Sequence, residues 1–384
     1  MKYNIYILLA AATVLAGCSK WMDAEPIQVD PYLPNEVAKD DAYYEALRAW
    51  KKSDHAVSFG WYSEWGEGSV NTGNMLCALP DSMDIVALWD NADEHKLTPK
   101  KREDLRRAQE VKGLRVVVTS FVWKIGDIYN PLGPDATLPE IKEHYGWVDG
   151  QVENNKEAMN KWIKDVADFL DRCGYDGIDI DYEPGEYRDP IGNPDPIMPN
   201  RTYIIHFVKE MGKYIGPQSG TDKLFILDGY INTFPSECGP YFDYFVSQAY
   251  SVSSGSGSEG SSMRASNLDY RLSQVVNNYK DYYTEEEVTN KFICTDNLES
   301  ASVCLAGGYI WYDSLGRRWD PAVMPTLVGF ADWKPSNGFR KGGFGGYRFS
   351  NERANNPPFK WMRKAIQQQN PAPGKDIITD EDYK

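Results

Sequence analysis

Tyr175-Asp176-Gly177-Ile178-Asp179-Ile180-Asp181-Tyr182-Glu183 reads as a short apolar strand in which every second residue from Asp179 onward is a carboxylate. A strand sends alternate side chains to one face, about 6.6 Å apart. Asp179, Asp181 and Glu183 therefore project together, while Ile178, Ile180 and Tyr182 turn to the opposite layer. Asp176 falls out of that register, at the start of the strand beside Gly177. Three acids on one face of an apolar strand resist burial and repel one another, so at least one is expected to hold a proton at neutral pH. Acids perturbed in this way point to catalysis. Two other readings use the same residues: an exposed edge strand with a solvated acidic face, and a metal site. No histidine stands beside the acids to favour the metal.

On either side of this stretch, short apolar runs alternate with helical patterns, the mark of βαβ units. Strand candidates precede it at His55–Trp61, Met83–Trp89 and Leu114–Phe121, and follow it at Lys223–Tyr230, Asp243–Tyr250, Lys291–Asp296 and Gly343–Phe349. Helical periodicity is clearest from Asn155 to Arg172, where Ala158, Trp162, Val166, Phe169 and Leu170 share one face and belong to a core. Further helices are expected over Pro99–Val111, Arg201–Tyr214, Leu268–Tyr279 and Phe359–Gln367. Pro184–Pro199 and the Ser/Gly-rich Ser251–Ser262 read as loops, the latter mobile. Eight strands with intervening helices predict an α/β fold, a (β/α)8 TIM barrel in a single domain. The acidic strand is the fourth, and Glu183 falls at its C-terminal end, the working face of such a barrel.

Composition narrows the partners. The 384 residues include 12 Trp and 25 Tyr, and the formal net charge is −15. That charge argues against nucleic acid or an anionic membrane surface as the main partner and leaves a neutral substrate open. Lys2, the apolar run Ile5–Leu15 and then Leu15-Ala16-Gly17-Cys18 resemble a bacterial lipoprotein signal, with cleavage before Cys18 and lipid on its thiol. The run is too short to span a bilayer as a helix. The expected organisation is a signal peptide over 1–17, a spacer and lead-in over 18–50, the barrel over 51–370 and a polar tail over 371–384. Cys77, Cys173, Cys238, Cys294 and Cys304 remain, an odd number with no zinc-like spacing. They read as buried small hydrophobes, with a Cys294–Cys304 disulfide as one option in an exported protein.

Asp176-x-x-Asp179-x-Asp181-x-Glu183 resembles the DxxDxDxE signature of glycoside hydrolase family 18, whose members include chitinases and endo-β-N-acetylglucosaminidases on a (β/α)8 barrel. The resemblance would cover most of Ala56 to Gln367. It implies no cofactor and no metal. It implies substrate-assisted hydrolysis with retention: Glu183 as general acid and later base, Asp181 bonding the acetamide N–H of the reacting sugar, and Asp179 sharing a proton with Asp181. Asp176 would be supporting structure, counted among the substrate-binding residues. Chitinases of the family commonly show Met-x-Tyr-Asp on the sixth strand, where this chain has Gln248-Ala249-Tyr250. That is similar to the Gln-x-Tyr of endoglycosidases acting on N-glycans, with the Tyr hydroxyl on the acetamide oxygen and Gln against the sugar. A chitinase-type tryptophan is missing at the end of the eighth strand, which leaves Tyr347 or a loop aromatic as the sugar platform. Trp61, Trp89 and Trp123, at or just past the ends of strands one to three, are candidates for lining the cleft or for plain core. The resemblance therefore implies cleavage of the β-1,4 bond between the two core N-acetylglucosamines of an N-glycan. A chitinase and a non-catalytic glycan-binding barrel are the alternatives. With Cys18 lipidated, the protein would resemble the surface lipoproteins of glycan-foraging Bacteroidetes, tethered to the outer membrane.

Overall fold

The computed structural model describes residues 29–30, 33–37, 39–67, 72–89, 92–185, 192–250, 252–253, 261–371, 378–379 and 382–383. Cys18 and the apolar run before it lie outside the described residues. No helix among those described is long and apolar enough to cross a membrane. The chain divides into two units, Met1–Asp41 and Ala42–Lys384. In the first, Val29–Asp30 pairs antiparallel with Leu33–Val37.

Eight parallel strands close the barrel of the second unit: β1 (Val57–Tyr62), β2 (Ile85–Leu88), β3 (Arg115–Ser120), β4 (Gly177–Tyr182), β5 (Leu224–Gly229), β6 (Tyr244–Gln248), β7 (Phe292–Asn297) and β8 (Gly343–Tyr347). Every strand expected from the sequence is present, in that order, within two residues at each end. Around them run α1 (Asp41–Lys51), α2 (Pro99–Glu110), α3 (Leu138–Tyr145), α4 (Val152–Cys173), α5 (Arg201–Met211), α6 (Ala265–Tyr279), α7 (Glu285–Lys291), α8 (Ala301–Ala306), α9 (Thr326–Asp332) and α10 (Lys360–Gln369).

The barrel interior is filled by Phe59 and Trp61 of β1, Ile85 and Ala87 of β2, and single residues such as Val117, Ile226, Val246 and Ile293 from β3, β5, β6 and β7. Each fully buried side chain of this size contributes about 1.5–3 kcal/mol. The outward residues Ile178 and Ile180 are equally buried, and Trp162, Val166, Phe169 and Leu170 line the buried face of α4. Period two on the strands and period 3.6 on the helix thus meet across one apolar layer.

Three differences from the sequence reading follow from local chemistry. The lead-in is shorter than expected: α1 buries Tyr44, and Arg48 donates to the Val111 carbonyl at 2.8 Å, so the body of the fold begins near Ala42 rather than residue 51. The Ser251–Ser262 stretch is edged by strands: Val252–Ser253 pairs with Ser261–Arg264, which pairs in parallel with Ile310–Tyr312. No Cys294–Cys304 disulfide forms. Both thiols are free and buried, Cys294 directed at the Phe330 and Gly343 carbonyls and Cys304 at that of Phe349.

The turn into β4 explains its aim. Gly174 ends α4 at φ 80°, with its N–H bonded to the Leu170 and Asp171 carbonyls. Gly177 begins the strand at φ 145°, where a Cβ would stand 1.9 Å from the Leu224 carbonyl oxygen. Only glycine lets β5 approach this closely.

Candidate active site

Asp179, Asp181 and Glu183 enter the barrel from β4 and the residue after it, all three buried. A cleft of about 450 Å³ opens above the C-terminal ends of the strands, and Asp181 and Glu183 form part of its wall. Asp179 lies one layer deeper, with no exposed surface. Its Oδ2 accepts from Trp61 Nε1–H at 2.8 Å and from the Thr119 hydroxyl at 2.9 Å. Register explains both partners, because Thr119 pairs directly with Asp179 across β3–β4 and Trp61 points inward from β1.

Gln248, the last residue of β6, donates through Nε2 to Asp181 Oδ1 at 3.1 Å and to Asp228 Oδ1 at 2.8 Å. Tyr250 stands two residues further on, in the same cleft. The strand ends before it, so Gln248 and Tyr250 share the cleft rather than one continuous strand face. Tyr347 closes the floor. Its ring lies 5.9 Å from Trp61, 5.7 Å from Trp89 and 6.0 Å from Tyr250, centroid to centroid. Trp61, Trp89 and Tyr347 all line the cleft, and Trp61 belongs to the core as well.

Two sequence-based expectations are corrected. Asp176 is no part of the substrate cleft. It sits at the opposite, N-terminal mouth of the barrel, where Oδ2 accepts from Val116 N–H and Gln109 Nε2 at 2.7 Å each, and Oδ1 pairs with Arg115 at 3.2 Å. Its register, one residue out of phase and five before Asp181, places it there. Trp123 is not among the residues lining the cleft. Its backbone instead holds the loop after β3, accepting from Ile197 N–H and donating to Asp127.

The sequence reading missed Asp228. This fully buried acid on β5 pairs in register with Asp181. A lone carboxylate in Leu224-Phe225-Ile226-Leu227-Asp228 carries the same signal as the β4 acids, an acid on the inward phase of an apolar strand. It was overshadowed because it stands alone. Arg271 and Gln274 of α6 also reach the cleft wall, as do Asn297 at the end of β7 and Glu299 after it.

Burial governs the electrostatics. It pushes the Asp179 carboxyl up to about 6, against the pull of its hydrogen bonds from Asp228, Thr119 and Trp61. Asp181 is pushed well above the ordinary carboxylate range, first by burial and then by the charges of Glu183 and Asp179. Asp228 moves the same way, through burial and the charges of Asp179 and Asp181. Burial also raises the Tyr250 phenol, with the Asp228 and Asp181 charges adding to it. The site therefore favours the protonated forms of its acids. It offers proton donors beside a tyrosine hydroxyl and an aromatic floor, which suits acid-assisted cleavage of a bond in a ring-bearing substrate.

The family model for glycoside hydrolase family 18, BT1044-like, matches residues 23–368. The chain belongs to glycoside hydrolase family 18. Among curated proteins it is 28% identical over 215 residues to endo-β-N-acetylglucosaminidase F2 of Elizabethkingia meningoseptica, covering 53% of each chain. The chain thus spans about half the length of that relative. Among solved structures, a selenomethionine BT1044 variant superposes with a TM-score of 0.66 at 23% identity, over 88% of this chain and 95% of the other. An endo-β-N-acetylglucosaminidase from Cordyceps militaris in apo form gives 0.56 at 20% identity, over 87% and 97%. At these identities the two structures attest the shared barrel.

Proposed function

We propose that this family 18 protein is an endo-β-N-acetylglucosaminidase that cleaves the β-1,4 bond between the two core N-acetylglucosamines of N-glycans. The observation carrying the reading is Gln248. It occupies the sixth-strand position beside Tyr250 and holds Asp181 by a hydrogen bond at the cleft wall. The name of the Elizabethkingia relative supports the same choice.

In this mechanism Glu183 protonates the departing glycosidic oxygen. Asp181 accepts the acetamide N–H of the reacting sugar and so turns the acetamide oxygen onto the anomeric carbon. Tyr250 donates its hydroxyl to that oxygen. The oxazolinium ion that results is opened by water, with Glu183 taking the water's proton, and configuration is retained. Asp181 stands between two carboxyls, and burial and their charges favour its protonated form. Tyr347, with Trp61 and Trp89 around it, supplies the apolar face on which a sugar ring stacks.

Mass spectrometry of glycans released from a panel of defined glycoproteins tests the reading. Glu183→Gln should lower release by about 100-fold or more while leaving glycan binding intact, the usual size of a general-acid contribution. Undiminished release by that variant would sink the assignment. Faster turnover of chitooligosaccharides than of glycoproteins by the wild type would make the protein a chitinase instead. We propose further that Cys18 carries lipid and tethers the enzyme to the outer membrane at the cell surface. Palmitate labelling of the wild type but not of Cys18→Ala is the expected result, and equal labelling would refute it.

A further inference from the structure

Two buried oxygens in the site have no donor among the described residues. They are Asp179 Oδ1 and Asp228 Oδ2. The other oxygen of each acid is satisfied: Asp179 Oδ2 by Trp61 and Thr119, and Asp228 Oδ1 by Gln248. The two acids stand close enough to shift one another's titration. Two carboxylates cannot satisfy one another's oxygens, since each is an acceptor only, so a hydrogen bond between these two orphaned oxygens needs one proton. Its owner follows from the donors. Asp179 receives two hydrogen bonds on its far oxygen, which favour its charged form, whereas Asp228 receives one from a neutral amide.

We infer that Asp228 is a positioning residue whose carboxyl O–H donates to Asp179, while Gln248 fixes its other oxygen beside Asp181. This rests on the proposed roles of Asp179 and Asp181 in the reaction. The groups facing Asp228 are Asp179 and Asp181 from β4, and Gln248 with Tyr250 from β6. None of them is cationic, so no neighbouring charge favours ionised Asp228. The arrangement orients Asp179 from three sides: Trp61 from β1, Thr119 from β3 and Asp228 from β5. Asp228 also lies within hydrogen-bonding reach of Asp181. Its proton can therefore turn from one β4 acid to the other when Asp181 engages a substrate, with no net gain or loss of charge in the site. A carboxyl on β5 thereby couples the buried acid to the one that touches the sugar.

Asp228→Asn keeps the shape. The amide oxygen accepts from Gln248 and the amide N–H replaces the carboxyl O–H toward Asp179. This variant should retain kcat within about threefold of wild type, with the acid limb of its pH–rate profile unmoved, because no charge is exchanged. Asp228→Ala removes the donor and should lower kcat by about 10- to 100-fold, the value of a hydrogen bond to a charged group, with the acid limb displaced upward. Rescue by Asn but not Ala is the signature, and it is read on whichever N-acetylglucosaminide the wild type turns over. A second measurement needs no substrate. In the infrared spectrum at neutral pH, Asp228→Asn should lack one carboxylic-acid C=O band that the wild type shows. An unchanged band set, or a fall in the acid limb of Asp228→Asn, would overturn the inference. Because the infrared result is independent of activity, it separates an error about Asp228 from an error about the substrate.

Discussion

Replacing Thr119 by valine deletes one of the hydrogen bonds that hold Asp179, at nearly constant volume. The Thr119 hydroxyl donates to Asp179 Oδ2 at 2.9 Å from a buried position on β3, and Trp61 Nε1–H remains on the same oxygen. A hydrogen bond to a charged group is worth about 1.5–3 kcal/mol, and one pKa unit corresponds to about 1.4 kcal/mol. Asp179, already pushed up to about 6 by burial, should therefore rise by about one to two units. At pH 7 its ionised fraction then falls from roughly nine-tenths to between a half and a tenth, so turnover drops roughly two- to tenfold. The assay is the pH dependence of kcat, with the acid limb displaced upward by at least one unit. Stability carries the same sign. The lost bond matters where Asp179 is charged, so the deficit in Tm against wild type should be larger near about pH 8 than near about pH 5. An unmoved acid limb together with an equal Tm deficit at both pH values would show that Thr119 merely fills space.

Asp176→Ala tests the separation of the two barrel mouths. It should cost about 1–3 kcal/mol of stability through lost hydrogen bonds to Val116 and Gln109, and leave kcat unchanged; a collapse of kcat with normal Tm would return Asp176 to the active site. The thiols offer an independent check on the fold. All five described cysteines are free and buried, so Tm should be the same with and without dithiothreitol, and a clear fall in reductant would reveal a disulfide.

The barrel was legible because its two signals are local. Eight apolar runs of strand length survive as β1 to β8, and Glu183 stands at the C-terminal end as the strand order requires. Signals that need register were not legible. Thr119 looks like one more β-branched residue in Val116-Val117-Val118-Thr119 until β3 is laid beside β4 and its hydroxyl meets Asp179. Asp228 becomes meaningful only once β5 brings it opposite Asp181. Short helices were missed for a different reason. α1 buries a single residue, Tyr44, so little apolar periodicity marks it. α3 is eight residues long, and its mark is the capping box in which Thr137 and Glu140 satisfy one another's end of the helix. Trp123 shows the limit of reading exposure from position. A tryptophan just past a barrel strand can face the cleft, as Trp89 does, or stay out of its lining, as Trp123 does while its backbone bonds to Ile197 and Asp127.

The acids of β4 and β5 act against the fold that carries them. Asp179, Asp181 and Asp228 are buried, and the groups that shift their protonation include no cation. Their carboxyls titrate above the ordinary carboxylate range, so the folded chain binds protons that the unfolded chain has released. Stability from these groups is therefore fully present below about pH 4 and is lost as pH rises, for Asp179 through about 6. The apolar layers on both sides of the strands, Ile178 and Ile180 outward and the Phe59–Trp61 cluster inward, offset that loss at neutral pH. A structural ion pair would have been arranged otherwise, with a lysine or arginine opposite each acid, as Arg115 stands opposite Asp176 at the far mouth. The same chain thus contains both solutions on one strand segment. Asp176 is held by an ion pair with Arg115 and by hydrogen bonds from Val116 and Gln109. Asp179, Asp181 and Asp228 face tryptophan, threonine, glutamine and one another, an arrangement that favours their protonated forms.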